Sequence, residues 1–329
     1  MNDVLESIRE KAKARPRRIV LPETEDSRTI EAIDCLLDNR IVKVVAVGKE
    51  DVRKKLKSKR LDDLELIDPE KYQKKEEFIN KYYELRKHKG MTPEEARRIV
   101  TTEYVTFGAL LVRQGVADGF VAGADHTTPD VVRTSIYCLE LDRSIGTVSG
   151  AFLMVVPDCE YGSNGIFVFA DCGVNPDPSS NQLSGVAVAA AKLFEKLVGE
   201  APRVAFLSYS SKGSAKGKLV DKVVEAVRKA REKAPNIMID GEFQVDSAIV
   251  PEVAKIKCSD SQVAGRANVL IFPSLDSGNI SYKIVQRLAK ARAVGPLLMG
   301  MTKPASDLSR GCDASDIADA AAITSLRAD

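Results

Sequence analysis

Arg17-Arg18-Ile19-Val20-Leu21-Pro22, then Thr24-Glu25-Asp26-Ser27, then Ile30, Ile33, Leu36 and Leu37, decide the fold class. The first run is β-branched and closed by proline, and reads as a buried strand. The second reads as a helix start, and the four apolar residues after it recur at helical spacing. Val42-Lys43-Val44-Val45-Ala46-Val47-Gly48 reads as a second buried strand. Strand, helix and strand in succession imply a parallel sheet with helices on its faces, an α/β fold.

Working outward, residues 70–113 read mainly as helix, with Thr92-Pro93-Glu94-Glu95 as a start signal: proline at the first helical position and acids in the first turn. A strand over Gly119–Gly123 leads into a hydroxyl-rich loop and a helix over Val131–Leu141. Near residue 143 the pattern changes. Thr147–Pro157 and Gly165–Gly173 are adjacent strand signals with no helix between them, so they are expected to pair and make that sheet mixed. Further strands are expected at Arg203–Ser208, Asn236–Asp240, Ala267–Phe272 and Gly295–Met299, with helices at about 180–198, 218–233 and 280–292. The expected domains are 143–295 and, around it, 1–142 plus 296–329. The tail is read as a loop and one helix packed on the first domain.

Composition excludes several functions. The chain has 329 residues, 44% of them apolar, which suffices for two cores. Lys+Arg is 49 and Asp+Glu is 47, no basic block stands out and Trp is absent, so a nucleic-acid groove is not expected. The amino terminus is charged and no stretch of about 18 apolar residues occurs, so neither a signal peptide nor a membrane span is expected. The six cysteines form no C-x-x-C pair and suit reduced thiols in the cytoplasm. Only two histidines, His88 and His126, are present, which leaves little material for a Ser-His-Asp triad or a multi-histidine metal site.

Chemistry is therefore sought in loops. Ser208-Tyr209-Ser210-Ser211-Lys212-Gly213-Ser214-Ala215-Lys216-Gly217-Lys218 joins a strand to a helix and suits an oxyanion. It is not a Walker A loop, and an ordinary connector with solvated lysines explains it equally well. Ala122 to Arg133 is another such loop, placed where parallel sheets gather ligands; taken alone, a capped helix with a surface arginine and a structural His126 explains it better. Phe272 to Lys283 contains Gly278-Asn279, read as a turn before a helix. Tyr82 to Gly90 is either a solvated basic helix end or an anchor for a polyanion. Gly300 to Ile317 packs Ser309, Arg310, Cys312, Asp313 and Asp316 before a helix. Spacing makes Asp313 or Ser315 the cap and Asp316 a first-turn acid, leaving Ser309-Arg310-Gly311 unexplained.

Together these blocks resemble the phosphate acetyltransferase (phosphotransacetylase) family over nearly the whole chain. The matching segments are Leu21-Pro22-Glu23-Thr24-Glu25-Asp26, Tyr83 to Gly90, Pro157-Asp158-Cys159-Glu160-Tyr161-Gly162, Ser208 to Ser214, Asp240 to Asp246, Ser277 to Lys283, and Lys303-Pro304 with Asp307 to Cys312. The resemblance implies reversible conversion of acetyl-CoA and phosphate into acetyl phosphate and CoA, as in acetate metabolism. It also implies two three-layer αβα domains with a cleft between them, similar to isocitrate and isopropylmalate dehydrogenases, a homodimer, and neither metal nor cofactor, CoA being a substrate. By the same resemblance Asp316 is the base for the CoA thiol, Ser309 donates to the reacting carbonyl, Arg310 holds the phosphate, and Arg86 and Arg133 bind CoA. Cys159 and Cys312 are near the site without being nucleophiles. The other polar loop groups, Thr127, Thr128, Ser210, Lys212, Asn279, Tyr282 and Lys283, are candidate phosphate and substrate contacts. The chain departs from the family at Ser274 and Asp276, where Asp and Asn are common, and at Thr134, where Pro is common.

The chemistry suits these residue types. A thiol with a pKa near 8.5 is mostly protonated at neutral pH, yet the thiolate attacks. An ordinary Asp lies roughly 4.6 units lower, so full proton transfer is about 6 kcal/mol uphill and must accompany attack or be helped by a cation. A forked guanidinium matches phosphate oxygens in pairs. The alternatives from other classes are a silent acyl-CoA sensor, separable by arsenolysis of acetyl-CoA, and a metal-dependent hydroxyacid dehydrogenase, separable by NAD reduction.

Overall fold

The computed structural model describes residues 4–328. Its strands are β1 (Arg18–Leu21), β2 (Lys43–Val47), β3 (Glu65–Ile67), β4 (Gly119–Ala122), β5 (Ser149–Val155), β6 (Ile166–Ala170), β7 (Arg203–Leu207), β8 (Met238–Phe243), β9 (Val269–Ile271), β10 (Arg292–Met299) and β11 (Ala305–Asp307). The chain forms two compact units, Met1–Glu140 with Met301–Asp329, and Leu141–Gly300. No helix among the described residues is long and apolar enough to cross a membrane.

In the first unit the strand order is β3-β2-β1-β4-β11, and every pair is parallel. Ile19, Val20, Leu21 and Val44 to Val47 are buried, as continuous apolar strands of a parallel sheet must be. The helix Tyr104–Arg113 packs on β1, β2 and β4, while the carboxy-terminal helix Ala314–Arg327 packs on β1, β4 and β11 and against the helices Val4–Ala14 and Ser27–Asp38. Parallel pairing brings the carboxyl ends of β1, β4 and β11 to one edge, where residues 22–27, 123–128 and 308–313 emerge side by side.

In the second unit the order is β10-β5-β6-β9-β7-β8. β5 runs antiparallel to both β10 and β6, and the remaining pairs are parallel. The connection from β5 to β6 holds only the four-residue helix Tyr161–Asn164, and the two strands form the antiparallel pair that the sequence suggests. The helix Ser180–Val198 opens with a capping box from Ser179 and Gln182 and packs on β6, β7 and β9. The helix Lys218–Lys233 packs on it and on β8, and Leu275–Leu288 packs on β5, β6 and β10.

Two expectations need correction, on the tail and on Gly278-Asn279. The tail is more than a loop and a helix. Residues 292–299 form one strand paired along β5, so the segment 296–300 belongs with the second unit, and Ala305–Asp307 adds a further strand beside β4. Residues 70–113 are mainly helical, as expected, in the helices Lys75–Arg86, Pro93–Thr102 and Tyr104–Arg113. Gly278-Asn279 is not a turn but lies inside the helix that Ser274 caps. Gly278 is there for close approach, because a Cβ on it would sit 2.2 Å from the Asp171 carbonyl oxygen.

Candidate active site

The three loops at the carboxyl edge of the first unit are tied together by buried charge. Glu23 leaves β1 with its side chain almost wholly buried. Its Oε2 accepts the N–H groups of Gly123 and Ala124, each at 2.8 Å, and its Oε1 accepts those of Asp125 and His126, each at 3.0 Å. His126 Nδ1 lies 2.7 Å from the same Oε1. Burial works to raise the Glu23 pKa, but hydrogen bonds from His126 and the backbone bring it net below the usual carboxylate range.

Arg28 fastens this loop to the one after β11. Asp26 caps the helix Ser27–Asp38 and holds Arg28 Nε and Nη2 at 3.0 and 2.6 Å. Nη2 also donates to the Ala124 carbonyl, and Nη1 donates to the carbonyls of Arg310 at 2.7 Å and Cys312 at 3.1 Å. The Asp26 carboxylate raises the Arg28 pKa. One guanidinium therefore fixes the Ser309–Cys312 turn against the Ala124 loop.

On that turn Ser309 and Arg310 are exposed. Ser309 Oγ accepts the Gly311 N–H at 3.3 Å. The Arg310 guanidinium makes no ion pair or hydrogen bond among the described residues and is available to a ligand. Asp313 caps the carboxy-terminal helix in a capping box with Asp316, whose Oδ2 accepts the Asp313 N–H at 3.2 Å. Cys312 is buried and its thiol is pushed up to about 11 by burial, against the pull of Arg28. A protonated thiol is a poor nucleophile.

Arg86 packs against the helix that carries Arg133. Arg86 ends the helix Lys75–Arg86 and stacks its guanidinium 3.4 Å from the centroid of the Tyr137 ring. Its buried Nε has no hydrogen-bond partner. Tyr137 lies four residues beyond Arg133 on the helix Thr128–Cys138, so the two cations project from neighbouring positions. Arg133 Nη1 is 3.1 Å from Asp130 Oδ1. Thr127 caps this helix and Thr128 opens it beside Asp307, the last residue of β11.

The candidates of the second unit are more fully engaged. Ser210 is buried and donates to Glu242 Oε1 at 2.7 Å, and the Gly213 N–H donates to the same oxygen at 2.8 Å. Lys212 Nζ donates to Asp240 and to the Gly241 carbonyl. The donors that suited an oxyanion thus meet carboxylates of the chain itself. Asn279 donates to the Cys172 carbonyl at 3.1 Å. The Tyr282 ring is buried and stacks on Phe152 at 3.9 Å between centroids, with Lys283 Nζ 5.0 Å from the Tyr282 ring centroid. Cys159 lines an apolar groove of about 690 Å³ with Tyr209, Leu219, Val245 and Ile284.

Sequence reasoning assigned no role to Glu23, Arg28 or Asp307. Glu23 and Asp307 each stand within two residues of a β-strand's carboxyl end, which was the available signal. Arg28 carried none, because its partners are main-chain carbonyls from distant segments.

A family model described as Phosphate acetyl/butaryl transferase matches residues 3–325 of the chain. A phosphate acetyltransferase of Acetivibrio thermocellus is 51% identical over 328 residues, 98% of each chain. A crystal structure of a phosphotransacetylase from Streptococcus pyogenes superposes with a TM-score of 0.90 at 39% identity, covering 99% of this chain and 98% of that one. A Salmonella typhimurium structure assigned as a 4-hydroxythreonine-4-phosphate dehydrogenase, 11% identical over 94% of this chain and 98% of its own with a TM-score of 0.52, is similar in fold alone.

Proposed function

We propose that this chain, which belongs to the phosphate acetyl/butaryl transferase family, carries out reversible acetyl transfer: acetyl-CoA + phosphate = acetyl phosphate + CoA. The observation that carries this reading is the family match from end to end together with an exposed Ser309–Arg310 turn, pinned by Arg28 ahead of the helix that bears Asp316.

The transfer is direct, in a ternary complex. Asp316 takes the proton as the CoA thiol attacks the acetyl carbonyl of acetyl phosphate, and returns it when phosphate attacks acetyl-CoA. Ser309 Oγ–H donates to the carbonyl oxygen as it gains charge. Arg310 grips the phosphoryl oxygens and stabilises phosphate as it leaves. Arg86 and Arg133 bind CoA, taking its phosphates with their guanidinium groups. Thr127 and Thr128 serve the phosphoryl side from the helix amino terminus. Ser210, Lys212, Asn279, Tyr282 and Lys283 are the second unit's candidate phosphate and substrate contacts, Ser210 and Lys212 being bonded to Glu242 and Asp240. No metal or cofactor takes part; CoA is a substrate. The raised thiol pKa of Cys312 supports a route without an acyl-cysteine.

The chain works as a homodimer in the cytoplasm. Ile280, Ile284 and Leu288 are 56%, 50% and 82% exposed at four-residue spacing on one helix, an apolar stripe that a second copy covers. Sedimentation of the intact chain at micromolar concentration should give the mass of two copies; a monomer would remove this part of the reading.

The purified chain should form acetyl phosphate from acetyl-CoA and phosphate, and arsenate should drive acetyl-CoA breakdown. CoA binding without turnover would sink the enzymatic reading in favour of an acyl-CoA sensor. Recovery of labelled acetyl covalently bound to protein would sink the direct transfer.

A further inference from the structure

The loop after β4 presents four consecutive N–H groups, from Gly123 to His126, the kind of concavity that binds phosphate in other proteins. Here Glu23 fills it, taking all four donors on two oxygens. The loop therefore has no main-chain donor left at these positions for a substrate anion. What remains is the imidazole of His126. Nδ1 faces Glu23 Oε1 at 2.7 Å, while Nε2 has no partner among the described residues and the side chain is 39% exposed.

A carboxylate behind one ring nitrogen fixes the ring orientation and favours the imidazolium, whose other nitrogen then donates outward. The surrounding charges act in the same sense. Glu23 raises the His126 pKa most, burial opposes it, and Asp125 and Asp130 add to the increase. Arg28, which approaches the loop from the helix Ser27–Asp38, is paired with Asp26, and Asp307 of β11 stands on the Glu23 side. Arg28 also places the loop: the same guanidinium bonds the Ala124 carbonyl and the carbonyls of Arg310 and Cys312. His126 thus sits on the rim that carries the Ser309–Arg310 turn.

We propose that His126, clamped by Glu23, donates Nε2–H to the phosphoryl group of inorganic phosphate and of acetyl phosphate, beside Arg310. The inference rests on the proposed acetyl transfer for the identity of phosphate as substrate. It gives Glu23 a positioning role and explains why a buried carboxylate occupies an anion nest next to a phosphate site: it trades a neutral main-chain cradle for a cation that projects into the site.

The chain has two histidines, so its imidazole signals can be assigned in an NMR spectrum by comparison with His126→Gln. Titrating the wild-type chain with inorganic phosphate should shift the His126 signal saturably and leave His88 unmoved. His126→Gln should raise KM for phosphate and for acetyl phosphate roughly ten- to a hundred-fold, the usual worth of one charge-assisted hydrogen bond, and leave KM for CoA within about two-fold. Wild-type enzyme that turns over at saturating phosphate with an unmoved His126 signal overturns the proposal. So does a His126→Gln variant whose KM rises for CoA and not for phosphate, which would assign the imidazole to a CoA phosphate. A chain that transfers no acetyl group yet shifts His126 on adding phosphate would remove the acetyltransferase reading and leave this site standing.

Discussion

Asp316→Asn should lower kcat by about 10²- to 10⁴-fold while changing KM for CoA only a few-fold, the signature of a group that acts on the proton in the transition state. The carboxylate occupies the third position of a helix whose cap is Asp313. That position has a bland use as well, since the Asp316 side chain closes a capping box. The two roles make separable predictions. A capping role alone costs about 0.5–2 kcal/mol of stability and leaves turnover near wild type. A base role costs turnover, because asparagine keeps the shape and the acceptor oxygen but cannot take a proton. Steady-state kinetics with acetyl phosphate and CoA, alongside urea denaturation of both proteins, decides between them. A kcat within ten-fold of wild type would remove Asp316 from the mechanism.

Arg310 differs from Arg28 in what its guanidinium bonds. Its guanidinium has no partner within the described chain, whereas Arg28, three β-strand loops wide in its reach, spends its donors on Asp26, Ala124, Arg310 and Cys312. One arginine builds the rim and the other stays exposed, its charge solvated by water.

Much of the fold was legible because its strands are the kind that periodicity detects. Val44-Val45-Ala46-Val47 can hardly be anything but a buried strand, and the helices Ser180–Val198 and Lys218–Lys233 carry clean apolar spacing to their ends. What escaped were elements with little intrinsic signal. Ala305-Ser306-Asp307 has no β-branched residue and becomes a strand because β4 offers its edge. Gly278 looked like a turn residue because its actual requirement, a 2.2 Å clash avoided with Asp171, is set by a chain segment a hundred residues away. The site divides in the same way. Ser309, Arg310 and Asp316 were assigned through the family resemblance, since spacing alone made Asp316 only a first-turn acid of a capped helix. The Glu23 nest and the Arg28 bridge are non-local, and no spacing rule marks them. The Ser208–Lys218 loop shows the converse: its composition suits an anion, but Glu242 and Asp240 arrive from β8 to take its donors.

Asp307→Asn should stabilise the protein at pH 8 by about 2–4 kcal/mol, with the gain vanishing near pH 4. Asp307 is fully buried, and neither carboxylate oxygen has a partner at hydrogen-bond geometry. Burial pushes its pKa up to about 7; the Thr128 hydroxyl and the Leu308 N–H pull weakly the other way, and the Glu23 charge adds to the rise. In the unfolded chain the same carboxyl titrates near 3.9. Between about pH 4 and pH 7 the folded state therefore holds a proton that the unfolded state has lost, so stability falls as pH rises through that window. Below it both states are protonated, and the neutral acid and the amide differ little. Asparagine removes the titration and keeps the volume, so the difference between the two proteins isolates this one group from every other carboxylate. Gly123 sets the constraint that keeps the acid in place: a Cβ there would lie 2.3 Å from Asp307 Oδ1, so the side chain packs directly against glycine backbone in the loop that Glu23 holds. Urea denaturation of wild type and Asp307→Asn at half-unit steps from pH 4 to pH 8 measures the gap. A variant no more stable than wild type at pH 8, or a gap that does not widen with pH, would show that the buried carboxylate has a partner that neutralises its cost.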